Sequence, residues 1–139
     1  MPLTTKAASE LAKFVFGGED IHFGPQLKIA LYKSSPSATG GGTEVSGGGY
    51  QRVAVDRNSS QWASDDPSDL SYTFNQQVIQ FPAATADWGT VTHVGIWAND
   101  GAADYLFMYG PLSQSKDVKN GDGGPEFALS ALQLYLDGQ

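Results

Sequence analysis

Two histidines, His22 and His93, are the natural candidates for proton transfer near neutral pH. No sequence signature pairs either one with a serine nucleophile or an orienting carboxylate, and the chain has no cysteine. His93 falls inside an apolar run, where a hydrogen-bonded structural imidazole is expected. Cation binding is the second candidate chemistry. Asp117, Asn120, Asp122 and Glu126 in "KDVKNGDGGPE" are hard oxygen donors of the kind calcium takes, but Lys119 stands where an EF-hand loop places its second ligand. Asp65, Asp66 and Asp69 form another acidic group without a ligand spacing, so both groups read as solvated loop acids. With 15 acidic residues in the chain, some pair can always be imagined flanking a glycosidic bond, and that alone identifies nothing. The residues point away from an enzyme and call for no cofactor and no resident metal.

The stretch "SATGGGTEVSGGGYQRVAV" (residues 37–55) holds six glycines in two triplets. A phosphate-gripping loop needs Lys followed by Ser or Thr after its last glycine, and a helix N-terminus facing the anion. Here Gly49 leads into Tyr50, Gln51 and a strand pattern, while Glu44 puts a negative charge inside the loop. Phosphate binding is excluded on those specifics, and a surface connection between strands remains. Tryptophans offer a last chemistry, stacking on sugar rings. Trp97 faces opposite to Val94 and Ile96 and so packs on a second layer or a partner, and Trp88 fits core or turn packing. Trp62 stands in the polar residues 58–69, "NSSQWASDDPSD", which read as a long loop. A large aromatic there needs a surface, either a partner's or its own core's.

The elements that must position these residues follow from periodicity. Thr4 or Thr5 can cap a helix whose apolar face is Ala7, Ala8, Leu11, Phe14 and Val15, and which Gly17 and Gly18 end. Three turns are marginal alone in water, so this helix must dock on its own sheet or on a neighbour. From Gln26 the period becomes two, with Leu27, Ile29 and Leu31 on one face and Lys28, Ala30 and Tyr32 on the other. Further strands are expected at 50–55, 70–74, 78–81, 90–98, 105–109, 126–129 and 132–136. The run "TVTHVGIWA" is apolar on both faces and reads as a central strand, and "NDG" at 99–101 suits a hairpin.

Seventeen glycines, seven prolines and 17% charged residues in a chain of 139 fit short strands and many turns. The expected fold is all-β, an antiparallel β-sandwich, jelly-roll-like, with a short N-terminal α-helix. It divides into a helical arm at 1–20 and a β-sandwich domain at 21–139. The formal charge of −7 argues against nucleic acid and against an anionic membrane surface, both of which need Lys and Arg. No apolar run approaches the ~20 residues that span a bilayer, and the N-terminus lacks a signal-peptide pattern, so synthesis in a cytoplasm is expected.

Read as blocks, "LKIALYKSSPSATGGGTEVSGGGYQRVAV", "IQFPAATADWGTVTHVGIWAND", "LFMYGPLSQSKDVKNGD" and "FALSALQLYLD" resemble a family of small bacteriophage virion proteins over nearly the whole chain. Residues 58–69 depart from the usual pattern, being longer and more acidic. The resemblance implies a β-sandwich, a virion location and self-association as a homotrimer. Members carry tail-fibre labels, and similar proteins sit on capsids as cement or decoration proteins. Small size and the lack of a long repetitive shaft put capsid cement first, binding the major capsid protein lattice. A tail-fibre or baseplate component touching host glycans is the runner-up, and a bacterial carbohydrate-binding module comes third. The expected partner interface is Leu11, Phe14 and Phe16 of the helix, Glu44 of the glycine loop, and Trp62.

Overall fold

The computed structural model describes residues 1–20, 22–66, 68 and 72–135. Asp69, Leu70 and Leu136, which entered the sequence reading, lie outside the described residues. One helix, α1 (Thr5–Gly17), precedes ten strands: β1 (Gln26–Ser34), β2 (Thr43–Glu44), β3 (Val53–Asp56), β4 (Trp62–Ala63), β5 (Tyr72–Asn75), β6 (Ile79–Gln80), β7 (Gly89–Asn99), β8 (Asp104–Val118), β9 (Glu126–Phe127) and β10 (Gln133–Tyr135). All pairings between these strands are antiparallel.

The main sheet runs β2-β1-β7-β8, with β3 also on β1. Period-two patterning explains its two faces. Ile29 pairs with Ile96, Leu31 with Val94, and Ile96 with Met108, all on the face turned to the core. On the other face Lys28 opposes Trp97, Ala30 opposes Gly95 and Tyr32 opposes His93. Over the inner face lie two small sheets, β10-β5-β4 and β6-β9. They and the connections beside them bring Val45, Ile79, Phe81, Trp88, Leu132 and Leu134 into the same buried cluster. The all-β antiparallel sandwich with one N-terminal helix is therefore as the sequence implies. The described strands form sheets of five, three and two.

Thr4 caps α1, its hydroxyl accepting from the Ala7 N–H at 3.1 Å, and Gly18 ends it at φ 67°. The residues before the helix are part of the sheet: Leu3 bridges Met108, and the Thr4 N–H donates to the Phe107 carbonyl at 3.0 Å. α1 packs on β8 through Ala7, in a second cluster with Ala98 and Tyr105. Its inward residues are Thr4, Ala7 and Glu10, at a spacing of three, with Leu11 half-buried. Ala8, Phe14 and Val15 of the expected apolar face are exposed instead. Glu10 takes an inward position because Lys6 and Lys13 neutralise it at 2.9 and 3.4 Å.

Two elements differ from the periodicity. β8 continues past Gly110-Pro111 to Val118, because its pairing to β7 resumes after a register jump: Val91 opposes Lys116 while His93 opposes Pro111. Trp62 lies on β4, not in a loop, since Trp62 and Ala63 pair with Asn75 and Phe74 of β5. Local polarity hides such a strand, whose only support is a distant partner.

Asn75 is the polar keystone of the small sheets. It is fully buried; its side-chain amide donates to the carbonyls of Gln77 (2.8 Å) and Ala128 (2.9 Å), and its carbonyl oxygen accepts from the Leu132 N–H (2.9 Å). Its backbone carbonyl accepts from Ser130, a non-glycine residue held at φ 64°. Asn75→Ala strands these groups at ~1–3 kcal/mol each where water cannot reach. Urea unfolding should show a loss of about 2–4 kcal/mol. A loss below about 0.5 kcal/mol would mean that Asn75 holds nothing.

Candidate functional site

The residues that suggested chemistry are engaged in local structure. His93 Nδ1 lies 2.7 Å from the Thr92 hydroxyl, and the His22 carbonyl accepts from the Tyr105 hydroxyl at 3.2 Å. Asp122 accepts the Lys119 N–H at 2.9 Å, and Asp66 accepts from Ser68 at 3.0 Å. Among the described residues, no three His, Cys, Asp or Glu side chains converge on a point that could hold a metal ion.

The glycine loop is clamped to its own sheet. Arg52 holds Glu44 in a two-pronged pair at 2.9 and 2.8 Å, and the Tyr50 hydroxyl donates to Glu44 at 2.7 Å. Tyr50 in turn accepts from the Leu31 N–H at 3.0 Å. The Arg52 guanidinium lies 3.8 Å from the Trp97 ring centre, and Trp97 donates to the Tyr32 hydroxyl at 3.1 Å. Burial pushes the Glu44 carboxyl up, but the hydrogen bonds from Arg52 and Tyr50 outweigh it and hold the carboxyl below its ordinary range. Burial, reinforced by Glu44, raises the Tyr50 phenol well above its usual value. A shallow concavity of about 510 Å³ opens here between Lys28, Glu44, Arg52 and Asp104. Its two cations face two anions, so it offers no net charge to a ligand.

The second glycine triplet approaches the core closely. The Gly48 carbonyl accepts from the Trp88 indole at 2.8 Å and from the Thr85 N–H at 2.9 Å. A Cβ on Gly48 would sit 2.9 Å from Trp88 Nε1, at φ 58°. The close neighbour of this triplet is the chain's own Trp88.

Two apolar surfaces carry residues expected at an interface. One is the end of α1, where Phe14, Val15 and Phe16 are 50%, 64% and 88% exposed beside half-buried Leu11. The first half of the helix is held by Glu10 and by Lys6, which also reaches Asp100 at 3.3 Å. The Ala103 and Ala102 N–H groups, followed by Lys6, lower the Asp100 carboxyl to about 2. The other surface is a groove of about 730 Å³ between β4 and the end of the main sheet, walled by Phe23, Leu27, Trp62 and Phe107 and rimmed by Arg57, Asn58 and Thr73. Phe23 and Phe107 meet edge to face at 5.1 Å, and the Arg57 guanidinium stands 5.3 Å from the Phe23 ring centre. Trp62 is half-buried against the core, and its indole N–H is buried without a hydrogen-bond partner among the described residues.

Leu11, Phe14 and Phe16 thus share one helix end, Trp62 walls the groove, and Glu44 belongs to the clamp of the glycine loop. Phe23, Arg57 and Phe107 escaped the sequence reading. Phe107 gave a weak signal, as a strand residue alternating out of phase with Leu106 and Met108.

The chain belongs to the bacteriophage family described as Podophage GP4 fiber I protein gp80, which matches residues 2–135. No curated protein matches it. A phage virion family agrees with the resemblance carried by the sequence blocks, and the description names a fibre.

Trp62→Ala should lower the stability of the free protein by about 2–3 kcal/mol, below the ~3–5 kcal/mol of a fully buried aromatic. Phe16→Ala, at an exposed position, should stay within about 0.5 kcal/mol. Chemical denaturation of the two variants side by side checks the contrast.

Asp100 predicts an acid dependence. Its folded-state value lies below the ordinary 3.8, so its contribution is complete above pH about 3.8 and is lost as pH falls toward about 2. Melting temperatures of the wild type should therefore fall more steeply across that window than those of Asp100→Ala. Parallel slopes would overturn the assignment.

Proposed function

We propose that the chain is a structural subunit of a phage tail fibre, acting through protein contacts and without catalysis. The observation that carries this reading is the match of residues 2–135 to a family described as a fibre protein. That description favours the fibre over the capsid cement that small size had put first. The structure supports a contact role, because its surface carries an apolar helix end and an aromatic groove. Virion proteins of the tail are then the partners, with host glycans reached through the assembled fibre. Self-association, three chains together, belongs to the same reading.

Phage particles carrying a disrupted gene test it. Imaging should show fibre density missing from the tail, and adsorption to host cells should fall. Release of DNA on heating or osmotic shock should stay as in the wild type. Intact fibres with early DNA leakage would return the chain to the capsid shell.

A further inference from the structure

The end of α1 and the Trp62 groove of this chain fit each other. Among the described residues, α1 is anchored along its first half, by the Thr4 cap, by the Thr5 N–H on the Ala38 carbonyl, by Ala7 and by the ion pairs of Lys6 and Glu10. Beyond Leu11 it projects Phe14, Val15 and Phe16 into water, with Phe16 88% exposed. Successive positions point about 100° apart around a helix, so these side chains surround its end with apolar surface, and Phe16, the most exposed, is the knob that water favours covering.

The groove at Trp62 has the opposite shape. Its volume of about 730 Å³ is large enough for an aromatic side chain and its neighbour, and Phe23, Leu27, Trp62 and Phe107 wall it. No residue of α1 lines it, so the chain's own knob does not occupy it. Charge agrees with size. Glu19 and Asp20 follow the knob, both exposed, and Arg57 stands on the rim of the groove. None of the three takes part in an ion pair with another described residue.

We propose that the α1 end of one copy seats in the Trp62 groove of a second copy, with Glu19 and Asp20 brought to Arg57. The contact is head-to-tail: each chain gives a knob and receives one. Such a contact builds a closed ring when its rotation closes.

Mixing variants tests this directly, by sedimentation velocity with light scattering. The wild type should run as an oligomer at micromolar concentration. Phe16→Ser removes the knob, and Ala63→Trp fills the groove from β4. Each alone should be a folded monomer, with association weakened by about tenfold or more. Mixed together, they should form a one-to-one dimer, because the groove of the first receives the knob of the second.

Arg57→Glu gives a second route that leaves the groove walls intact. It should weaken association, and combining it with Glu19→Lys and Asp20→Lys should restore it. A monomeric wild type would overturn the proposal. So would an Ala63→Trp protein that still associates as the wild type does, which would mean a knob-to-knob contact. So would a mixture that stays monomeric.

Discussion

The register of β1 on β7 is the constraint on which the rest depends. Ile29 opposite Ile96 and Leu31 opposite Val94 place four branched apolar side chains on one face. The intervening positions place Lys28, Tyr32 and Trp97 on the other. A slip of one residue would exchange the two sets, burying a lysine and exposing the core. Everything functional hangs from this choice. The core face receives the small sheets that carry Trp62, while on the outer face Trp97 meets Arg52, which holds Glu44 between the two glycine triplets. Gly95 shows how tightly the outer face is set, since a Cβ there would come within 2.7 Å of the Tyr32 ring.

Charge is arranged to leave few cations free. Of eight Lys and Arg, Lys6, Lys13, Lys28, Arg52 and Lys119 each meet a carboxylate. With a net charge of −7, copies of this chain repel one another at long range. Salt screens that repulsion beyond about 8 Å under physiological conditions. In the proposed contact, apolar area would supply the attraction and Arg57 on the groove rim would supply direction.

The legible parts of the fold are those in which local sequence and final environment agree. Thr4, Gly18 and the alternation from Leu27 to Tyr32 each state their structure within a few residues, and α1 and β1 form where they imply. The "NDG" hairpin is equally local: the Asn99 side chain accepts the Gly101 N–H at 2.7 Å, and Asp100 accepts from Ala102 and Ala103. What stays hidden is decided by distant partners. β4 exists because Asn75 and Phe74 lie beside it, and the tail of β8 because β7 continues to pair it past a proline. The same holds for the candidate surfaces. Helical periodicity counts Phe14 and Val15 as inward residues, yet no strand lies beneath them, and ion pairing lets Glu10 take a place that an apolar residue would fill. The groove joins Phe23, Trp62 and Phe107 from three separate segments, which no local window shows.

For a structural protein of a virion, this division of labour has a mechanical sense. A subunit that holds its place in an assembly must not deform when its neighbours pull on it. The clamp of Glu44, Tyr50 and Arg52 ties the glycine loop to the sheet, and Asn75 ties the turns of the small sheets to β5. Leu3 and Thr4 are hydrogen-bonded into the edge of β8, so the helix that follows is aimed by the sheet and not by a flexible linker. A short, aimed helix keeps its exposed end at a fixed distance from the groove on the same chain. In the proposed head-to-tail contact, that fixed geometry would repeat from copy to copy, and the same two connected surfaces would set every contact.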